Sequence, residues 1–225
     1  MGSLRLRPVL IGTGVMLALG ASGSTASAAS GRPVAAAKSR AAPATAAGAP
    51  VGALGGTWGT AEEVPGTAAL NKAGGAEVSS VSCASAGNCS AGGFYETGRP
   101  RSLRTHVFVV IETHGTWGTA EQVPGTAALN QGGNGRINAV SCASAGNCGA
   151  GGDYLDSSGH QQALVVSQAA GAWGKAIEVP GTAVLNQRGF AAIESVSCAS
   201  AGVCSAGGYY KDGSGHSQAF VDSTT

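Results

Sequence analysis

Apolar and polar residues alternate in short runs over most of the chain after residue 55, and the same runs recur three times. The clearest runs are THVFVVIE (105–112), QQALVVS (161–167) and SQAFVD (217–222). Alternation with β-branched residues between turn signals predicts half-buried strands. We therefore expect an all-β protein made of three repeats, each with about four short antiparallel strands.

Two further strands in each repeat flank a pair of cysteines. The first strand ends on the first cysteine (78–83, 137–142 and 193–198), and the second runs from the next cysteine to a tyrosine (89–95 in the first repeat). The fourth strand contains Trp58, Trp117 or Trp173 and ends before a Pro-Gly pair. Proline stops a ladder there because it has no backbone N–H.

The repeats are closely similar in sequence. GTWGTAEEVPGTAALN (56–71) matches GTWGTAEQVPGTAALN (115–130) at 15 of 16 positions, and the three tryptophans are 59 and 56 residues apart. Periods of this size indicate a repeat array. Since the repeats open on a Trp strand and close after a third strand, we expect a ring in which the N-terminal strand completes the last unit. A fragment of a longer array is the alternative.

Composition bears on whether such a chain folds. It has 38 glycines, 11% charged residues, and less Val, Ile, Leu and Phe than the roughly 20% below which chains tend to be disordered. Disorder also requires a high net charge, and here the net charge is +1. Because Gly and Ala recur at fixed positions, such as Gly92 and Gly93, we interpret them as residues of tight strands and turns.

The first 54 residues differ from the repeats. Residues 1–28 combine a basic start, an apolar run and an Ala-Ser-Ala site, which predicts a secretory signal peptide. Residues 29–54 are rich in Ala, Pro, Ser and Gly, which predicts a disordered leader. We expect a folded domain over residues 55–225 of a secreted, extracellular protein with no membrane span.

Six cysteines occur as three pairs with five residues between the partners. In an exported chain, such pairs predict local disulfides, here Cys83–Cys89, Cys142–Cys148 and Cys198–Cys204. The spacing differs from that of zinc ligands, so we assign no metal to them. Each small loop contributes roughly 2–2.5 kcal/mol in the chain-entropy model.

The usual catalytic and nucleotide-binding signatures do not occur in the sequence. We assign no catalytic residue and no cofactor. The histidines His160 and His216 occupy equivalent turns, where we expect them to be solvated. The domain has 8 basic and 12 acidic residues, a net charge of −4, which argues against a nucleic-acid partner.

Candidate ligand-binding residues come from differences between the repeats. Tyr95, Tyr154 and Tyr210 are the same in all three, whereas the preceding residue is Phe94, Asp153 or Tyr209. Alternation places these two positions on opposite faces, so we expect the fixed Tyr and Trp residues in the core and the variable position, Asp153 included, to point outward. Phe94 and Tyr209 are then candidate contacts for a ligand.

A basic loop, which breaks the repeat, supplies the other candidates. Arg99, Arg101 and Arg104 lie in a segment three residues longer than its equivalents. Their guanidinium groups suit a carboxylated or sulfated ligand. A solvated loop is the alternative interpretation.

The strings VSCASAGNCSAGGFY (81–95) and GTWGTAEEVPGT (56–67) resemble repeats of secreted bacterial proteins that are often considered β-propeller-like. The resemblance covers residues 55–225 and implies one four-stranded blade per repeat, with no established activity. Propellers have about 4–8 blades, and this chain has three repeats. A threefold β-trefoil or β-prism-like form, or a homo-oligomer of several chains, is therefore also considered.

For function, we expect a secreted, non-catalytic repeat scaffold that binds a glycan or a protein outside the cell. A secreted glycan-active enzyme of the β-propeller type is the first alternative, with its site where the repeats differ. A truncated remnant of a longer repeat array is the second.

Overall fold

The computed structural model describes residues 56–224, and the unit that carries the repeats starts at Trp58. The predicted signal peptide and leader lie outside the described residues. Over the described range the chain is all-β, with three one-turn helices, and its strands form three antiparallel sheets. The all-β prediction is therefore confirmed.

Each sheet takes its strands in chain order. Sheet 1 contains β1 (Ala76–Ser85), β2 (Asn88–Arg99), β3 (Ser102–Thr113), β4 (Thr116–Trp117) and β5 (Glu121–Gln122). Sheet 2 contains β6 (Gly135–Ser144), β7 (Asn147–Leu155), β8 (Gln161–Ala169), β9 (Ala172–Trp173) and β10 (Ile177–Glu178). Sheet 3 contains β11 (Ala191–Ser200), β12 (Val203–Lys211) and β13 (Ser217–Ser223).

The predicted cysteine pairs close the hairpins between the first two strands of each sheet. A two-residue turn, Ala86 and Gly87 in sheet 1, places Cys83 directly opposite Cys89. Gly87 has φ of +70°, a left-handed conformation that glycine adopts readily. All three disulfides are confirmed. Their Cα atoms are 3.9–4.0 Å apart, closer than the ~5.5–6 Å expected for disulfides in general.

The Trp segment is less regular than the single strand predicted. In sheet 1 it makes two short pairings with β3, through β4 and β5, and Gly118–Ala120 interrupts them. The backbone N–H of Ala120 donates instead to the carbonyl oxygen of Pro65 at 2.7 Å, and Ala176 donates to Pro124 at 2.8 Å. The segment is interrupted because it also bonds to the equivalent segment of the preceding repeat.

A one-turn helix, which the sequence analysis did not predict, follows each Pro-Gly pair. The helices are α1 (Thr67–Leu70), α2 (Thr126–Leu129) and α3 (Thr182–Leu185). In each, the threonine hydroxyl donates to the carbonyl three residues earlier, as Thr126 does to Val123 at 2.6 Å. Helix α2 packs between sheets 1 and 2, with Leu129 against the core there.

The sheets stack face to face, and the core lies between them. Between sheets 1 and 2, Val107 and Val109 of β3 pack against Ile137, Leu164 and other residues of sheet 2. Ile137 occupies the space that a Cβ on Gly92 would need, at 2.9 Å. Ile193 has the same relation to Gly151 at the next junction, at 2.5 Å. Glycine at these positions is what allows the sheets to approach.

The prediction that the N-terminal strand closes a ring within one chain is wrong. Residues 58–64 form no strand, Trp58 is exposed, and sheet 3 has three strands with no fourth on the outer edge of β13. The predicted core position therefore holds for Trp173, which is buried, and Trp117 is half-buried. Trp58 has no strand to pack on because no strand pairing within residues 56–224 joins sheet 3 to the first repeat.

Candidate functional site

The first strands of the three sheets, β1, β6 and β11, lie side by side without a backbone ladder between them. Serine hydroxyls bridge them: Val140 N donates to Ser80 Oγ, and Cys142 N donates to Ser82 Oγ, both at 3.0 Å. Between β6 and β11, Cys198 N donates to Ser141 Oγ at 3.0 Å. Side chains at the start of these strands are thus held close to one another across all three sheets.

An open cleft of about 320 Å³ lies at that end of the first strands. We call it the first-strand cleft; it is lined by Glu77, Ser79, Phe94, Arg136, Asn138 and Glu194. All three sheets contribute, with Phe94 from β2 as the aromatic member. The cleft therefore combines one aromatic ring, two carboxylates, one guanidinium group, one amide and one hydroxyl.

Asp153 anchors the polar part of this cleft. Its side chain is buried, and Oδ1 accepts from Arg136 Nε at 3.3 Å and from Asn138 Nδ2 at 3.2 Å. Asn138 Nδ2 also donates to the carbonyl of Ile193 in sheet 3 at 2.9 Å. Burial raises the pKa of the Asp153 carboxyl above its usual range, and the Arg136 charge and the Asn138 hydrogen bond offset part of this rise. These bonds fix the orientation of two lining side chains.

The two aromatic candidates separate in the structure. Phe94 lines the first-strand cleft, whereas Tyr209 is not among its lining residues. Both are half-buried. Asp153, at the equivalent position, is buried rather than outward, because sheet 3 covers this face of sheet 2. Phe94 and Tyr209 stay predictions as ligand contacts.

The fixed tyrosines pack inside, as expected for two of the three. Tyr95 and Tyr154 are buried, and Tyr210 is half-buried. Tyr154 donates to Glu178 Oε2 at 3.1 Å, and burial together with the Glu178 charge raises the pKa of its hydroxyl. Tyr95 stacks on His106 with ring centroids 5.2 Å apart.

The arginine candidates lie on the long hairpin between β2 and β3. Arg99, Arg101 and Arg104 are all exposed. Arg104 has a structural contact, because its Nη2 donates to the carbonyl of Gln131 in the next repeat at 3.1 Å. A role in ligand binding stays a prediction for the three residues.

Five lining residues were missed by the sequence analysis: Glu77, Ser79, Arg136, Asn138 and Glu194. The signal was present, since Glu77, Arg136 and Ala192 occupy one repeat position, and Ser79, Asn138 and Glu194 another. These positions differ in every repeat, just as Phe94, Asp153 and Tyr209 do. Comparing repeats along the first strand, as well as the second, identifies the cleft.

One group of residues in the described part of the chain has the spacing of metal ligands: Cys83, Cys89 and Glu112. Its two cysteines form a disulfide, so they offer no thiolate. The turn histidines His160 and His216 are largely exposed, each 3.8–3.9 Å from a carboxylate oxygen of its turn, on Asp156 and Asp212. These turns are local structure.

Among residues 56–224, no helix has the length and apolar character that crossing a membrane requires. No protein-family model matches the chain, and comparison with curated proteins finds no match. The site is therefore interpreted from its own geometry.

Proposed function

We infer that the chain is a secreted repeat scaffold that binds a glycan in the first-strand cleft. The observation that carries this proposal is the composition of the cleft, in which the Phe94 ring lies with the carboxylate, guanidinium and amide groups of Glu77, Glu194, Arg136 and Asn138. Binding sites for small ligands combine apolar or aromatic surface with a few placed polar groups.

The polar groups suit the hydroxyls of a sugar. A carboxylate accepts hydrogen bonds, a guanidinium donates them, and an amide does both, whereas a sugar hydroxyl is both donor and acceptor. Asp153 holds Arg136 and Asn138 in place, which reduces the entropy that binding would otherwise cost. An aromatic ring provides flat apolar surface for the C–H face of a sugar ring.

The location of these groups in the repeats supports a binding role. The contact of a first-strand isoleucine with a second-strand glycine recurs at both junctions between sheets, whereas the cleft residues differ at every equivalent position. Exposed residues that stacking does not require are available for recognition. The proposed extracellular location is supported by the three disulfides, since disulfides persist in oxidising compartments.

Matched variants test the proposal on a glycan array of neutral, carboxylated and sulfated oligosaccharides. Phe94→Leu keeps apolar volume but removes the ring, and we expect about a tenfold loss of affinity, near 1.4 kcal/mol. Phe190→Leu makes the same change at a ring that is 50% exposed and lies outside the cleft lining, and it serves as control. Equal affinity of the two variants, or no glycan bound by the unaltered protein, would contradict glycan binding in the cleft.

A glycan-active enzyme is the second candidate, and Asp153 is the observation that favours it. Its raised pKa is a property of carboxyl groups that act as general acids, and it is hydrogen-bonded to two cleft residues. Incubation with the oligosaccharides that bind distinguishes the two functions. Hydrolysis that Asp153→Asn abolishes, with binding retained, favours the enzyme; binding without hydrolysis favours the scaffold.

The finer description of the fold is also a proposal. We propose that the three sheets are blades of a propeller-like arrangement, as the resemblance of the repeats implies. Support comes from strand order, because β1, β2 and β3 are consecutive antiparallel neighbours with the Trp segment outermost. Propeller blades have this meander of four strands around an axis.

A further inference from the structure

The two ends of the stack of sheets expose surfaces that are buried at the junctions inside it. At the sheet 1 end, Trp58 is 97% exposed, whereas its equivalent Trp173 is 7% exposed. At the sheet 3 end, Val221 is 85% exposed, whereas its equivalent Val109 is fully buried. The residue types are the same, so the difference comes from the missing neighbour.

A groove of about 450 Å³ runs beside β13 at the sheet 3 end. Its lining includes Ile177, Pro180, Asp222 and Thr224. In sheets 1 and 2 the corresponding edge is covered by a Trp segment, through β4 with β5 and through β9 with β10. In the described range, no segment pairs with this edge of β13.

Residues 58–64 have the sequence of a Trp segment but no sheet. WGTAEEV there differs from WGTAEQV (117–123) at one position, and the latter pairs with β3 in sheet 1. All residues of 58–63 are exposed, and Val64 is half-buried. Edge strands and unpaired segments of this kind pair readily with other chains.

We propose that the sheet 1 end of one copy of the chain docks on the sheet 3 end of a second copy, with residues 58–64 of the first filling the groove beside β13 of the second. The proposal goes beyond glycan binding and does not depend on it. The internal junctions provide the register. Because Glu121 lies opposite Val109 and Ile177 lies opposite Val165, Glu62 lies opposite Val221 of the other copy.

Backbone bonds across the new junction follow from the same equivalence. Val123 N donates to the Val107 carbonyl at 3.1 Å, and Val179 N donates to the Ala163 carbonyl at 3.0 Å. Val64 N accordingly donates to Ala219. Likewise, Ala61 N donates to Pro180, as Ala176 N does to Pro124.

A side-chain pair completes the match. In sheet 2, Glu178 of β10 accepts from Tyr154 of β7 through Oε2 at 3.1 Å, and it also accepts from Thr182 of α3 through Oε1 at 3.5 Å. Glu63 already accepts from Thr67 through Oε1 at 3.2 Å. The tyrosine equivalent to Tyr154 is Tyr210, which has no hydrogen-bond partner for its hydroxyl among the described residues. Docking places the Tyr210 hydroxyl beside the Oε2 atom of Glu63.

The first strands match as well. Val78 and Val81 of β1 are half-exposed or more, whereas their equivalents Ile137 and Val140 are buried on the preceding sheet. Ser195 and Ser197 of β11 are exposed. Ser195 is equivalent to Ser80, and Ser197 is equivalent to Ser82. The hydroxyls of Ser80 and Ser82 accept from the first strand of the next sheet. On docking, the N–H groups of Val81 and Cys83 meet the serine hydroxyls of β11.

A second copy is the occupant that the structure favours. Closure within one copy requires sheet 3 to meet sheet 1, and no pairing of their strands occurs between residues 56 and 224. Lys175 and Asp222 both line the groove, so its charge is balanced, and the match of sequence and register is what favours residues 58–64 of a second copy. A contact between different surfaces forms a ring where the rotation closes, and two copies supply six sheets, within the 4–8 blades of closed propellers.

Light scattering on the full chain, produced by a secretory route so that its disulfides form, tests the proposal. The unaltered protein should show at least twice the mass of one copy and dissociate on dilution. Val78→Lys at the sheet 1 end and Val221→Lys at the sheet 3 end should each give a single-copy mass. Both positions are exposed in one copy, so folding is kept and circular dichroism checks it. Val184→Lys is the control and keeps the original mass, because Val184 is exposed and its equivalent inside the stack, Ala128, is exposed even at the junction.

Mixing the two variants gives the decisive result. A Val78→Lys copy retains an intact sheet 3 end, and a Val221→Lys copy retains an intact sheet 1 end, so the mixture should form a two-copy species. A mixture that stays single-copy overturns the head-to-tail contact. So does a single-copy mass of the unaltered protein at every concentration.

Discussion

Ile137 and Val78 occupy the same position in successive repeats, yet Ile137 is fully buried and Val78 is 42% exposed. Ile137 packs on Gly92 of sheet 1, whereas Val78 has no preceding sheet among the described residues. The comparison shows that a repeat does not bury its own apolar face. Burial is a property of the junction between neighbouring sheets, as expected for stacked repeats.

The same lesson explains how a chain with so few large apolar residues folds. The largest core cluster lies at the junction of sheets 1 and 2 and takes residues from both, including Val107, Leu164 and Trp173. Glycines at the contact points allow close approach, so that one isoleucine fills each gap. The ends lack this second layer and are correspondingly exposed.

The largest expected difference between junction and end comes from Ile137→Ala. Truncating a buried isoleucine costs about 2–5 kcal/mol, whereas Val78→Ala should cost under about 1 kcal/mol, because a half-exposed side chain loses less burial. Urea unfolding measures both. The unfolding is measured at a dilution where the protein is single-copy. The same two substitutions in the Val221→Lys variant, which should not associate, serve as a control. Equal losses at the two positions would contradict the account.

The disulfides give a second comparison with an internal standard. All three span the same separation of 6 residues, so the chain-entropy contribution is the same, about 2 kcal/mol each. Cys148 belongs to the core between sheets 1 and 2 and Cys142 packs against that core, whereas in the first pair Cys89 is buried but Cys83 is exposed. Replacing Cys142 and Cys148 by alanine should therefore lower the melting temperature more than replacing Cys83 and Cys89.

Thermal unfolding followed by circular dichroism measures this difference. Because the loss of chain-entropy stabilisation is equal in the two variants, any difference between their melting temperatures reports packing at the junction. A larger drop in melting temperature on replacing Cys83 and Cys89, measured on the single-copy protein, would contradict a role for packing at the junction.

The smallest expected difference concerns the asparagines after the one-turn helices. Asn130 is buried and joins two sheets, since Nδ2 donates to the Thr105 carbonyl at 2.8 Å and Oδ1 accepts from Leu155 N at 3.3 Å. Asn71, its equivalent, accepts within its own loop from Gly74 N at 2.9 Å. Asn130→Ala should cost about 1–3 kcal/mol because it leaves buried groups unpaired.

Asn71→Ala is the matched control, with an expected loss of less than about 1 kcal/mol because its surroundings reach water. The free energy of unfolding in urea decides between them. A loss at Asn71 as large as at Asn130 would show that the bond within the loop, rather than the bridge between sheets, matters.

Much of the fold was accessible from the sequence because its determinants are local. Alternation predicts the first three strands of each repeat, and the spacing of Cys83 and Cys89 predicts their disulfide. The interruption of the Trp segment at Ala120 was not predictable, since it depends on Pro65 of the preceding repeat. The exposure of Trp58 was missed for the same reason: its sequence matches that of Trp117, and only the neighbouring strand differs.

The site divides in the same way. Phe94 was identified from the sequence because it varies between repeats. In the structure it lines the cleft. Asp153 was expected to point outward, and the packing of sheet 3 on sheet 2 buries it. Arg136 and Asn138 depend on Asp153 for their orientation. Contacts that join three sheets cannot be predicted from the spacing of residues within a single repeat.

Hydrogen exchange of the full chain at low and high concentration is the most direct test of the central claim. That claim is that the two ends are exposed only because no neighbouring sheet packs on them. Exchange is compared between residues 58–64 with β13 at the ends and residues 117–123 with β3 inside the stack. We predict slow exchange inside at both concentrations, fast exchange at both ends when dilute, and simultaneous protection of both ends when concentrated. Protection of residues 58–64 in the dilute, single-copy protein, or ends that stay fast as the mass doubles, would contradict the account.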